Sequence, residues 1–310
     1  MKILISSVGT STSVNLIRYF QKIGDYIVGC DINNYGYTAG SILCKNYYKV
    51  PYAKDENYIS SIKTILKKEK IDIFIPINDE EVYQVAKKSS ELNCSLLLPD
   101  IKTIEIVRDK LLCSSLLKEA GIPVPTIFNS DTKSVKKILR DRISVGSKGI
   151  QIYEKNTNVE ALNKNINFLQ EFIDGNEYTV DVLADIDGKP IYIVPRTRIE
   201  VKSGVAVKSK IEKNDLLIDY VKRILSVFCL RGFSNIQFIK DNSNNFWFVE
   251  VNCRFAGFGS ATLAVSKNYL ETFKKIVLKE NIPNVLNQDV RWNSVVTRYY
   301  KEVVYEESIC

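Results

Sequence analysis

Residues 233–256 read GFSNIQFIKDNSNNFWFVEVNCRF. Two runs of alternating apolar residues flank DNSNN, a cluster of turn formers, and the pattern predicts an antiparallel hairpin. On the second strand, Asn245 to Asn252, Glu250 and Asn252 stand two residues apart and so share a face. Gln237 on the first strand falls opposite or diagonal to Glu250. The predicted hairpin thus gathers one carboxylate and two amides, with Arg254 just past the strand end. Hard oxygen donors suit Mg²⁺, which takes few protein ligands and completes its shell from water and phosphate. One carboxylate carries too little charge to hold a free divalent ion, but a polyphosphate brings its own. The hairpin reads as one wall of a nucleotide–metal site. The same pattern also describes an ordinary strand that ends in polar residues.

Composition narrows the choice. The chain has 310 residues, enough for two or three domains with a sizeable core. Its hydrophobic share of 45% and charged share of 25% are ordinary for a globular protein. No run of about eighteen apolar residues occurs, which excludes a transmembrane helix. The opening MKILIS turns polar quickly and reads as a strand rather than a signal peptide. The seven cysteines are scattered without a CxxC pair and are expected as reduced, mostly buried thiols of a cytoplasmic protein. The net charge of +7 lies largely in segments such as SIKTILKKEK and SVKKILRDR. These read as solvated helix faces, so no nucleic-acid partner is expected. There is no histidine, which excludes Ser-His-Asp and Cys-His machinery and His-ligated zinc. Catalysis must come from carboxylates, cations, metal and positioning.

Toward the N-terminus, strands alternate with helices, which implies a parallel sheet. Strands are predicted at Lys2 to Ser6, Asp25 to Asp31, Ile71 to Ile77 and Ser95 to Leu98, and helices at Ser13 to Gln21, Tyr58 to Glu69 and Glu80 to Leu92. Asp31 ends the second strand about twenty residues after Gly9, like the opening of a dinucleotide-binding unit. GTSTSV has one glycine where that fingerprint needs three, so a structural doubly wound unit is favoured.

In the middle of the chain, Asp100 to Ala120 reads as one or two helices closed by Gly121 and IPVP, with RDK at 108–110. Ser134 to Arg142 is ambiguous between helix and strand and leads into VGSKGIQIY. Amides of such a loop can approach phosphate oxygens, with Lys148 adding charge, but a plain hairpin turn fits the same residues. FLQEFIDGNEYTVDVL, residues 168–183, is strand, turn, strand. Ile191 to Ile199 puts Arg196 and Arg198 on one strand face, as exposed cations or as an anion site. Asp215 to Cys229 is an amphipathic helix, another helix is expected from Ala261 onward, and VVTRYYKEVVYEE alternates as a closing strand.

Taken in order, these motifs resemble the ATP-grasp superfamily, above all the synthetase halves of the carbamoyl-phosphate synthase large subunit and their stand-alone relatives. Gln237 with EVNCR at 250–254 is similar to the family's metal-binding glutamine and its E-x-N-x-R run. QEFIDGNEYTVDV, and RDK followed by GIPVP, also match. The resemblance implies α/β and α+β architecture. A parallel-sheet pre-ATP-grasp domain would span 1–98, a small lid domain 99–170, and a large domain with the metal site 171–310.

It further implies ATP with Mg²⁺ or Mn²⁺. Lys110 would contact phosphate, Arg140 would be the basic residue before the loop, and Gly146, Ser147, Lys148 and Gly149 would cover the phosphates. LRDRISVGSKG is shorter than the family's loop. Glu171 and the backbone of Phe172 and Ile173 would meet adenine, Glu177 the ribose hydroxyls, and Phe248 belongs to the same nucleotide set. Gln237, Glu250 and Asn252 would hold the metal. Arg254 would stabilise the transferred phosphoryl group, with Lys110, Arg196 and Arg198 completing the catalytic set. The implied reaction is activation of a carboxylate as an acyl phosphate, followed by attack of an amine. Its partners would be a small-molecule carboxylate and amine, with neither nucleic acid nor membrane, and room for a homodimer. The chain holds neither a glutaminase nor a tandem second half, so a product other than carbamoyl phosphate is expected.

Two other readings stand beside this one: an NAD-dependent oxidoreductase on the N-terminal unit, and a non-catalytic nucleotide-binding protein. The missing glycines speak against the first, and the intact Gln, Glu, Asn and Arg set against the second.

Overall fold

Short, wholly apolar strands need cover on both faces, and helices supply it. The computed structural model describes residues 1–128, 134–144, 149–159, 162–282 and 285–306. Its first unit runs β1 (Lys2–Ile5), α1 (Ser11–Lys22), β2 (Tyr26–Asp31), α2 (Ala39–Leu43), β3 (Asn46–Lys49), α3 (Tyr58–Glu69), β4 (Ile73–Ile75) and α4 (Asp79–Lys87). The strands lie in the order β3-β2-β1-β4, all parallel, as the alternation predicted. The fourth strand is not the expected one. Ser95 makes only an isolated bridge to Ile73, and β3 takes the place at the opposite edge. As an edge strand, β3 (NYYK) is only half-buried, so no apolar run marks it. α4 opens with a capping box: Asn78 accepts from Glu80 N–H, and Glu81 accepts from Asn78 N–H.

α5 (Ile101–Arg108) and α6 (Lys110–Glu119) follow. Asp109 separates them because its side chain caps α6, accepting from Leu111 and Leu112 N–H. The next unit holds β5 (Ile127–Phe128), β6 (Lys137–Asp141), β7 (Gln151–Tyr153) and β8 (Asn167–Glu171), antiparallel in the order β5-β8-β6-β7. The ambiguous segment at Ser134 to Arg142 is thus a strand. Among the described residues, this sheet buries few apolar side chains: Leu139, Phe168 and Leu169.

The third unit contains β9 (Gly175–Ala184), β10 (Pro190–Lys202), β11 (Val205–Ile211), α7 (Asp215–Val227), β12 (Gly232–Asp241), β13 (Phe246–Asn252), α8 (Ser260–Val265), α9 (Tyr269–Val277) and β14 (Val295–Thr297). Its strands form an antiparallel sheet in the order β13-β12-β9-β10-β11-β14. The expected closing strand stops after three residues. Beyond it the chain leaves the sheet: Arg298 turns its guanidinium to Ser11 Oγ and Gly257 O, and Tyr305 packs edge-on against Tyr35.

One face of the large sheet packs on α5, α6 and α7 through Ile104, Val107, Leu117, Val180, Ile236 and Phe238. The first unit shares a core with the large sheet's other elements. Phe20 of α1 meets Phe273 of α9 edge-on at 6.3 Å, and Phe273 stacks on Phe233 of β12 at 4.4 Å. Gly232, where β12 starts, fits this junction because it has no side chain. Its φ is +72°, and a Cβ would lie 2.1 Å from Leu97 O. Gly232→Ala is therefore expected to lose about 1–3 kcal/mol of stability. An unchanged melting temperature would show that the Leu97 backbone can yield.

Candidate nucleotide and acceptor site

The β12–β13 turn is pinned by Asp241, which accepts from the backbone N–H of Ser243 and Asn245 and from Trp247 Nε1. Asn244 takes the left-handed conformation that such a turn needs, φ +67°. The register pairs Gln237 with Glu250 and Asn235 with Asn252. It then slips, so that Phe248 pairs with Phe238 and Val249 bulges out. The bulge matters chemically. Gln237 and Phe238 are successive residues and face opposite ways, so their partners Glu250 and Phe248 do too. Phe248 turns into the core against Phe238, while Glu250 and Asn252 face out with Gln237. The bulge also frees Val249 O, which accepts from Arg140 Nη1 at 3.3 Å.

A cavity of about 600 Å³ lies between the small and large sheets, a size that suits a small-molecule ligand. Lys110, Arg140, Glu171, Phe172, Ile173, Glu177, Arg198, Gln237, Phe248 and Glu250 all line it. Thus residues predicted from five separate segments meet in one place. Two buried cations converge on Glu250: Arg140 Nη2 is 3.7 Å and Lys110 Nζ 4.0 Å from Oε2. Lys110 also donates to Ser144 O at 2.8 Å. Burial pulls the Lys110 ammonium below its usual pKa, with Glu250 opposing the fall and Arg140 adding to it. Burial likewise lowers Arg140, again against Glu250.

Arg198 pairs with Glu177 at 2.6 Å and donates to Gly204 O. Between β8 and β9, Phe172 N–H is already spent on Lys136 O, at 3.1 Å. Gly146, Ser147 and Lys148 lie outside the described residues. Gly149, just after them, has φ +72° beside Asp141.

A second, polar cavity of about 320 Å³ opens between the large sheet and the first unit. It shares Ser144, Arg198, Gly204, Gln237 and Glu250 with the first, so the hairpin residues stand where the two meet. Asn252, Arg196 and Arg254 line it. Asn252 Nδ2 donates to Asn235 Oδ1 and Glu250 Oε1, both at 3.2 Å, which turns its Oδ1 away from them. Arg196 is buried and bound by two hydrogen bonds to Asp181, which also accepts from Thr262 Oγ1 at 2.6 Å. Arg254 Nε donates to Asp79 Oδ1 at 2.8 Å.

Sequence reasoning overlooked the wall that faces them: Ser7, Thr10, Ser11 and Thr12 at the start of α1, and Asp79 at the start of α4. The hydroxyl run TSTS and the acidic NDEE, each following a short apolar strand, were the available signals.

The donor chemistry fits a metal that arrives with phosphate. Among the described residues, no three His, Cys, Asp or Glu side chains come together. Glu250 is the one carboxylate of its trio, and the two cations beside it outweigh its charge. An ATP-grasp domain model matches residues 107–258. The chain carries an ATP-grasp domain. A model described as the PylC-like N-terminal domain matches residues 3–96.

The chain is 24% identical to the carbamoyl phosphate synthase large chain of Clostridium acetobutylicum, over 64% of its own length and 21% of that protein. It thus spans about a fifth of that relative. Among solved structures, biotin carboxylase from Campylobacter jejuni aligns over 95% of this chain and 74% of its own, at 15% identity and TM-score 0.74. N5-carboxyaminoimidazole synthetase from Staphylococcus aureus, complexed with ADP, aligns over 91% and 78% at 15% identity and TM-score 0.72. L-amino acid ligase from Bacillus licheniformis aligns over 89% and 74% at 15% identity and TM-score 0.70. These likenesses establish a shared fold.

Proposed function

We propose that the chain is an ATP- and Mg²⁺-dependent ligase that activates a small-molecule carboxylate for attack by an amine. The carrying observation is the junction of the two cavities at Gln237 and Glu250, with a surplus of buried positive charge on one side. ATP occupies the larger cavity in this reading, and the acceptor occupies the polar one. Gln237, Glu250 and Asn252 would hold Mg²⁺ there, and the ion would neutralise phosphate charge. Lys110 and Arg140 draw the phosphates to the junction, and Arg254 and Arg198 meet the transferred phosphoryl group. The substrate carboxylate attacks the γ-phosphorus to give an acyl phosphate and ADP, and the amine then displaces phosphate. Positioning and electrostatics carry the phosphoryl transfer, which suits a chain without histidine. Related folds crystallised with ADP and with MgADP support the choice of nucleotide.

One observation weighs against dinucleotide binding. Asp31, the carboxylate that would take a ribose, accepts from Gly9 N–H at 2.7 Å and from both nitrogens of Asn33. Its side chain fills the turn that a pyrophosphate would need. The six cysteines among the described residues are free thiols, and among those residues no helix is long and apolar enough to cross a membrane. A reducing, cytoplasmic setting is the one we infer.

The test is ADP release across amino acids and small carboxylates, with mass spectrometry of the products. ATP turnover without an amide product from any pair would overturn the proposal. Glu177 makes a sharper prediction. If it accepts the ribose hydroxyls, ATP should bind about tenfold or more tightly than 2′-deoxy or 3′-deoxy ATP. Equal affinities in calorimetry would remove Glu177 from the ribose site.

A further inference from the structure

The incoming amine needs a counter-charge. Amines reach an enzyme mostly as ammonium ions, which cannot attack until they lose a proton. The chain has no histidine to take it. Only two carboxylates line the polar cavity among the described residues, Asp79 and Glu250. Glu250 faces Lys110 and Arg140 on the phosphate side, where a cationic substrate is repelled. Nearby Asp181 and Glu177 are held by Arg196 and Arg198.

Asp79 is also paired with an arginine, Arg254, but it lines the polar cavity from the opposite wall. It projects from the N-terminal unit, across the cavity from the hairpin. Arg254 takes its Oδ1, and no hydrogen bond reaches its Oδ2 among the described residues. An acidic residue at a helix start usually serves the helix. Here that work is already done by Asn78 and Glu81, whose side chains form the capping box of α4.

We propose that Asp79 binds the ammonium group of the amine substrate and takes its proton, so that the second substrate is a primary amine held against the N-terminal unit. This rests on the ligase reading above. The carboxylate removes one proton and passes it to water. The freed nitrogen lone pair attacks the acyl carbon, and the C–N bond forms. The C–O bond to phosphate breaks, and phosphate leaves with that electron pair and the second nitrogen proton. Arg254, bound to the other carboxylate oxygen, holds Asp79 in place.

Hydroxylamine separates the steps, because it is uncharged at neutral pH and attacks acyl phosphates unaided. The full chain is incubated with ATP, Mg²⁺ and a pool of the protein amino acids, with and without hydroxylamine. Asp79→Asn should form amide about 10²-fold more slowly, yet form hydroxamate within about twofold of the unaltered protein. Asp79→Glu should recover part of the amide rate. Equal loss of both products from a folded Asp79→Asn protein, or loss of neither, would overturn the assignment. A melting curve accompanies each variant, and Asp79→Ser is read the same way should Asp79→Asn fail to fold. If the unaltered protein forms neither amide nor hydroxamate, the ligase reading itself falls, and this assignment with it.

Discussion

Glu250→Gln is expected to lower Mg²⁺-dependent ADP release by about 10²–10³-fold while adenosine still binds. The substitution keeps size and strand register but removes the single carboxylate of the proposed metal trio. Asn252→Ala should have a smaller effect, because water can replace an amide ligand. Arg254→Ala should leave nucleotide binding nearly intact and lower turnover. The free Glu250→Gln protein should also melt lower. Arg140 and Lys110, 3.7 and 4.0 Å from the same oxygen, would then face each other without a counter-charge. A purely structural strand predicts altered melting with unchanged turnover. Full Mg²⁺-dependent turnover in Glu250→Gln would falsify the metal assignment.

Arg196→Ala should cost about 3–5 kcal/mol of stability. The guanidinium holds Asp181 through two hydrogen bonds, and both groups are buried. Among the described residues, removing it leaves a carboxylate with Thr262 Oγ1 as its remaining side-chain hydrogen-bond donor. Arg196→Lys should recover only part, since an ammonium cannot reproduce the fork of two parallel bonds. Denaturant unfolding measures both. Replacing the pair together, Arg196→Met with Asp181→Leu, should regain much of the loss, because neither charge is then stranded. If that double variant folds but turns over no ATP, Arg196 has the catalytic part the family pattern assigns to it. If it folds and is fully active, the residue is structural.

The sequence carried the parallel first sheet, the hairpin and the pairing of Gln237 with Glu250, because period and turn chemistry are local. It did not carry β3, since a half-buried edge strand needs no apolar run. Nor did alternation alone reveal the bulge at Val249. A signal was there: Phe246, Phe248 and Val251 break the period of two by one residue, the mark of an inserted position. The polar cavity was least legible. Its far wall comes from Thr10 and Asp79, well over a hundred residues from the hairpin in the chain, and no local rule links segments so distant. The closing strand was overestimated because alternation was read where Arg298 and Tyr305 instead reach across to the first unit.

The two walls of the site differ in how firmly they are built. The N-terminal unit and the large sheet share the ring cluster of Phe20, Phe233, Tyr269 and Phe273. The small sheet, among its described residues, has only Leu139, Phe168 and Leu169 beneath it. The proposed acceptor pocket thus has walls locked together by a shared core, and the proposed nucleotide pocket has one wall with little apolar packing of its own. A wall fixed by a shared core discriminates by shape and asks little ordering of the protein on binding. A lightly packed wall stands at the low end of the range of local stabilities. Single changes in the polar cavity would therefore alter acceptor shape against a backbone that is already held in place.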